Sequence, residues 1–184
     1  MKRASLIPTV AWLGAVSVAI VLAVVAPNET NVMGQVPAVT AKRLDQQRIV
    51  MPQGLAADRT LALVAYTRNQ RPEIDSWIEG LNLNKDSAIS WIRMPVINDP
   101  GDDNQRLAIE NRMLERHTTQ TDRARLVPIF TNRDAFIRAA GISGVEHASV
   151  LVLNREGKVL ARAEGHFDED KAQALRETLL ARGD

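Results

Sequence analysis

Thr60-Leu61-Ala62-Leu63-Val64-Ala65-Tyr66 is an unbroken apolar run of strand length. A strand that alternates apolar and polar residues can leave one face in water. A run with no charged or strongly polar position must be covered on both faces. Val150-Leu151-Val152-Leu153 repeats the pattern near the other end of the chain. The architecture that buries such strands is a sheet flanked by helices, so an α/β fold is expected.

Helical patterns fall between the strands. Pro72 stands at a favoured first-turn position, and Ile74, Trp77, Ile78 and Leu81 follow at spacings of three and four, one face of a helix. Residues 87–96 read as a second buried strand, with Ile89, Trp91 and Met94 inward. Residues 98–103 are a turn, and Asp102 or Asp103 caps the next helix. Leu107, Ile109, Met113 and Leu114 give that helix a partly apolar face. It ends near His117, before the polar residues 118–121. Residues 126–130 read as a third strand. Asn132 or Asp134 caps a short helix carrying Ala135, Phe136, Ala139 and Ala140, stopped by Gly141. Residues 154–157 form a hairpin turn with Gly157 at positive φ. Residues 158–163 pair back as an antiparallel edge strand. Asp168 caps a final helix whose Ala172, Leu175, Leu179 and Leu180 face the sheet. Earlier in the chain, residues 48–51 form a short strand and residues 52–55 a turn.

At the N-terminus, Lys2 and Arg3 precede an apolar run over residues 6–26. A run of about 20 residues can span a bilayer, and a basic start before it is the pattern of an export signal. Val24-Val25-Ala26 only approximates a cleavage site, and Pro27 follows at once. Val32-Met33-Gly34 is a later, poorer one. Residues 1–26 therefore read as a membrane anchor or a signal peptide, the uncleaved anchor being favoured. Only Glu29 is charged between the run and Lys42, so the basic residues orient the span with the domain outside the cytoplasm. For a Gram-negative source this means a single pass through the inner membrane and a periplasmic domain, or secretion to the periplasm after cleavage. Residues 27–38 read as a linker, and residues 39–184 as one domain.

The chain of 184 residues has no cysteine, which excludes disulfides, thiolate nucleophiles and Cys-ligated metals. Its net charge is +1, which gives no electrostatic reason to seek nucleic acid, and no such partner is expected. No cofactor is expected either; neither a phosphate-binding Gly loop nor a Ser nucleophile motif is present. Glu110 and His117 share a helix face but lie two turns apart, and His166 stands alone, so no metal site is read.

The stretch AFIRAAGISGVEHASVLVLNREGKVLARAEGHFDEDKAQALRETLL resembles the C-terminal half of a thioredoxin-like domain. RLDQQRIVMPQGLAADRTLALVAY resembles the N-terminal hairpin and first core strand of the peroxiredoxin and periplasmic thiol-oxidoreductase branch. The resemblance implies a thioredoxin-like central mixed sheet flanked by helices, with an inserted helix, after the N-terminal apolar helix. Two hallmarks are missing. The loop that would carry the redox motif reads Thr67-Arg68-Asn69-Gln70-Arg71-Pro72. The residues before Ser149, where the family has a cis-proline, read Gly144-Val145-Glu146-His147-Ala148. Residues 104–165 are similar in order to ATP10-like assembly factors for the membrane sector of ATP synthase, which implies a chaperone-like mode of binding without naming a client.

Candidate site residues follow from that corner. Thr67, Arg68, Asn69, Gln70 and Arg71 occupy the loop where such a fold does its chemistry. Two guanidiniums beside a helix N-terminus can hold a carboxylate or phosphate; the plainer reading is a solvated loop. Glu146 and His147 could form an acid–base pair at the cis-proline position, or an ordinary polar turn. Trp77 and Trp91 read as core. Arg112, Glu115, Arg116, Asp122, Arg123 and Arg125 are mixed in sign, a solvated face or a docking surface. The expected function is a membrane-tethered or exported, redox-inactive assembly module that holds another envelope or membrane protein. The alternative is a thiol-independent enzyme or small-molecule binder using Glu146 and His147.

Overall fold

A computed structural model describes residues 32–181. The anchor or signal reading of residues 1–26 lies outside the described residues. Among the described residues no helix is long and apolar enough to cross a membrane. The strands are β1 (Val39–Lys42), β2 (Arg48–Met51), β3 (Arg59–Ala65), β4 (Trp91–Asn98), β5 (Ile129–Thr131), β6 (Ser149–Asn154) and β7 (Val159–Glu164). The helices are α1 (Arg71–Gly80), α2 (Asp103–Leu114), α3 (Gln120–Arg125), α4 (Arg133–Ala139) and α5 (Glu169–Leu180).

β1 and β2 form a hairpin, and the other strands make one mixed sheet in the order β5-β4-β3-β6-β7. β3 runs parallel to β4 and antiparallel to β6, and β7 closes one edge antiparallel to β6. The period of two along β3 explains its unbroken apolar sequence. Leu61 and Leu63 pack with Ile74, Trp77 and Ile78 of α1 and with Ala172 and Leu175 of α5. Ala62 and Val64 face the other way, onto Met51, Met94, Phe136 and Leu151. Trp77 and Trp91 are core residues, as their spacing implied. Their indole N–H groups donate to Gly165 O at 2.8 Å and Leu83 O at 3.0 Å, so neither is buried unsatisfied.

The helix starts follow capping chemistry. Asp102, rather than Asp103, accepts from Gln105 N at 2.9 Å. Asn132, rather than Asp134, accepts from Ala135 N at 2.9 Å, and Asp168 accepts from Lys171 N at 3.0 Å. Four local expectations need correction. Residues 87–90 do not join the strand, because Asp86 accepts from Ala88 N at 2.8 Å and holds a turn. The third strand is Ile129–Thr131, since Pro128 has no N–H for a ladder and Leu126 makes only an isolated bridge to Arg93. The polar residues before it include a helix start, with Thr119 capping α3 by accepting from Asp122 N at 3.1 Å. The fourth concerns α2. Leu107 is exposed, and the residue buried is Glu110, whose carboxylate meets Lys42 Nζ of β1 at 2.6 Å. An ion pair therefore helps dock the inserted helix, and its apolar residues are left for another use.

Residues 33–36, within the stretch read as linker, are seated on the body. Met33 N donates to Val159 O at 3.0 Å and Val159 N returns a bond to Gly34 O at 2.8 Å. Gln35 N donates to Ala139 O at 2.7 Å and Val36 N to Gly157 O at 2.8 Å. Val36 is buried. The approach is close enough that a Cβ on Gly34 would lie 2.3 Å from Ala140 C.

Candidate functional site

Tyr66 ends the buried strand, and the chain turns through a short 3-10 helix, Arg68–Gln70, into α1. Gln70 is 3% exposed and is consumed by the turn itself. Its Oε1 accepts from Tyr66 N at 2.7 Å and Thr67 N at 3.1 Å, and its Nε2 donates to Val145 O at 2.6 Å. One turn into α1, Glu73 Oε2 accepts from Ala148 N at 2.6 Å, and Glu73 Oε1 lies 3.1 Å from His147 Nδ1. The two sequence-predicted segments do meet. Gln70 and Glu73 are the stitches between them. The carboxylate beside His147 is Glu73, not Glu146; Glu146 lies over Gly144, where an added Cβ would be 2.1 Å from its Oε2. Beneath this corner Tyr66 Oη donates to Ser149 Oγ at 3.0 Å. Burial pushes the phenol up to about 12, against the lowering effect of that hydrogen bond.

The other flank of the loop opens into a cleft of about 380 Å³ between α1 and α2. β3 and β4 supply its floor through Leu63, Ala65, Pro95 and Ile97, and Ile74, Ile109 and Met113 line its walls. Arg68 and Arg71 stand at the α1 side, and Arg112 and Arg116 at the α2 side. Arg93 and His117 lie within it. Asp75 is the one carboxylate in the lining, 3.4 Å from Arg71 Nε and 3.6 Å from Arg93 Nη2. Arg93 Nη1 is 3.3 Å from His117 Nδ1, while Arg93 Nε is buried with no partner among the described residues. Burial, reinforced by the Arg93 charge, holds His117 below its ordinary pKa. Burial also lowers Arg93, with Asp75 opposing, and a guanidinium still keeps its proton at any physiological pH. A hollow on the opposite side of α2 is centred on Glu110, which Lys42 already neutralises.

Of the sequence-predicted residues, then, Thr67, Arg68 and Arg71 line the cleft. Gln70 is locked inside the turn, Asn69 is exposed, and Glu146 and His147 lie outside the lining. The reading missed Arg93, Ile109, Arg112, Met113, Arg116 and His117 as one site. A signal was present. Positions 109, 112, 113 and 116 recur at spacings of three and four, a helix face that mixes arginines with apolar groups. Among the described residues, no three His, Asp or Glu side chains cluster as metal ligands would.

No protein-family model matches the chain, and no curated protein does. Solved structures do. The chain is similar to a proposed electron transfer protein from Aquifex aeolicus VF5, with a TM-score of 0.57 and 16% identity over 83% of this chain and 99% of that one. It is similar to BsSco, a member of the Sco family of cytochrome c oxidase assembly proteins, with a TM-score of 0.51 and 14% identity over 80% and 95%. It is also similar to the exposed lipoprotein thioredoxin Etrx1 of Streptococcus pneumoniae strain TIGR4, with a TM-score of 0.50 and 12% identity over 77% and 99%. The fold is thioredoxin-like. With no cysteine anywhere in the chain, this thioredoxin-like domain cannot perform thiol–disulfide exchange. The residue standing where the cis-proline belongs has a role of its own. Ala148 offers Glu73 an amide hydrogen, which a proline would not have.

Proposed function

We propose that this chain is a membrane-tethered, redox-inactive thioredoxin-like domain that holds another envelope or membrane protein, as an assembly factor would. The observation that carries the reading is the cleft itself. It adjoins the loop where the fold's redox motif would sit, its floor is apolar, and its walls carry arginines from two separate elements. A concave apolar surface with a few convergent polar groups is the usual form of a binding site. The inserted helix α2, docked through the Lys42–Glu110 ion pair, keeps Ile109 and Met113 for that surface. The apolar run of residues 6–26 supplies the tether, through the inner membrane of a Gram-negative cell with the domain in the periplasm. A tether raises the effective concentration near membrane clients, so weak contacts suffice. BsSco belongs to a family of assembly proteins and shares the fold; without thiols, assembly by this chain would rest on binding alone.

The test is crosslinking in intact cells from photoreactive residues at Arg68 and Arg112, one on each wall, followed by membrane isolation and mass spectrometry. The expected result is one dominant adduct with an envelope or membrane protein, made from both positions. A folded, membrane-associated chain that yields no specific adduct would overturn the reading.

A further inference from the structure

The cleft is charged far out of proportion to the chain. Arg68, Arg71, Arg93, Arg112 and Arg116 share the lining with a single carboxylate, Asp75, and Asp122 acts on Arg93 from outside it, whereas the whole chain carries a net charge of only +1. Asp75 is shared between Arg71 and Arg93, and Arg68, Arg112 and Arg116 make no ion pair among the described residues. Arg93 keeps a buried Nε without an acceptor. Like charges gathered around a low-dielectric floor repel one another unless an anion joins them, and buried N–H groups left unpaired are costly. What fits must bring acceptors for the guanidiniums and apolar groups for the half-buried Ala65, Pro95, Ile97, Ile109 and Met113.

The placement of the arginines decides between two such ligands. A single-headed amphiphile would use cations gathered at one end. Here they come from two separate elements, Arg68 and Arg71 from the loop and start of α1, Arg112 and Arg116 from the end of α2 and just beyond it. A chain with carboxylates on either side of an apolar residue engages both walls at once, each through a paired guanidinium contact. We propose that the cleft takes an acidic, apolar segment of the client protein, with a large apolar side chain on the floor flanked by Asp or Glu. This rests on the client-binding reading above and gives that client's contact its chemistry.

The experiment selects peptides of random sequence, displayed on phage, against the full-length chain in lipid nanodiscs, with empty nanodiscs for counter-selection. The expected result is enrichment of Asp and Glu close to Leu, Ile, Phe or Met. A synthetic representative should bind about tenfold more weakly when NaCl rises from about 50 to about 300 mM. It should also lose at least about tenfold in the doubly substituted Arg68→Ala, Arg112→Ala chain, and nothing in Arg48→Ala, which lies outside the cleft. All three positions are exposed, and an unchanged melting temperature certifies that each variant folds. Selected peptides that are neutral or basic, or indifferent to the double substitution, would overturn the acidic-segment proposal and leave client binding standing. Enrichment of no peptide at all would overturn both, and calorimetry with dodecanoate would then show whether a small amphiphile takes the cleft instead.

Discussion

Arg93 and His117 meet inside the cleft, with Nη1 of the arginine 3.3 Å from Nδ1 of the histidine. A guanidinium can only donate, so the imidazole accepts at Nδ1 and is neutral in this contact. Desolvation and the Arg93 charge both oppose its protonation.

The first prediction follows from that sign. The folded chain binds a proton at His117 less readily than the unfolded chain does, so unfolding takes up protons just below the ordinary histidine pKa. The stability that neutral His117 contributes is complete above about pH 6.5 and is lost as pH falls below it. The melting temperature should drop between about pH 7.5 and about pH 5.5, and drop less in His117→Gln, whose amide oxygen can still accept from Arg93. Superimposable pH profiles for the two chains would show that His117 does not titrate as described.

Tyr66 is the chain's one tyrosine, so phenolate absorbance reports a single group. Its pKa is raised to about 12 by burial, which means the unfolded chain releases this proton first. Stability is full below about pH 10 and declines as pH rises toward the folded value. The native chain should show little phenolate at about pH 10.5, and the signal should appear together with unfolding. Tyr66→Phe should cost about 1 kcal/mol at neutral pH, for one lost hydrogen bond to Ser149. A free phenol titrating near pH 10 in folded protein would contradict the burial of this ring.

Glu73 holds a backbone amide that no other described group satisfies. Removing its carboxylate leaves Ala148 N–H unpaired, so Glu73→Ala should cost about 2–3 kcal/mol, or roughly 4–12 °C in melting temperature. Glu73→Gln keeps an acceptor and should cost less. Glu146→Gln, at an exposed position, should stay within about 0.5 kcal/mol of the parent. If the Glu146 substitution proved the more damaging, the stitch would have been assigned to the wrong carboxylate.

The sequence made legible whatever depends on neighbours within a few positions. The buried strands declared themselves because both faces of Thr60–Tyr66 and of Val150–Leu153 are covered, leaving no position for a charged residue. Asp102, Asn132 and Asp168 announced helix starts through side chains that reach only three residues ahead. Gly141 and Gly157 marked turns that need positive φ. The site was only half legible, because its parts come from separate elements. Arg68 and Arg71 were found on the loop, but Arg93 enters from the next strand, and Ile109, Arg112 and Met113 enter from a helix whose partly apolar face was read apart from its arginines. Within that helix Glu110 takes the buried position, with Lys42 as its counterion. Gln70 and Glu73 were misread or passed over for the same reason. Their partners, Val145 and Ala148, are distant in sequence, and nothing local signals the bond.

Gly141 and Gly101 separate strain from crowding. Both have positive φ, +68° and +71°. A Cβ at Gly101 would meet nothing within 4 Å, whereas one at Gly141 would lie 1.9 Å from Met33 O. Gly101→Ala should therefore cost about 1–2 kcal/mol from backbone conformation alone. Gly141→Ala should cost more, since the segment at Met33 must also be displaced. Equal losses in chemical denaturation would mean that residues 33–36 are not seated against α4.

That seat has a mechanical consequence. Met33, Gly34, Gln35 and Val36 are bonded to Val159, Ala139 and Gly157, at the end of α4 and the start of edge strand β7, while the cleft is floored by β3 and β4. A pull on the N-terminus would load this seam first and reach the cleft only after the seam had parted. A load applied at Met33 would thus fall on α4 and β7, on elements other than the strands that floor the cleft.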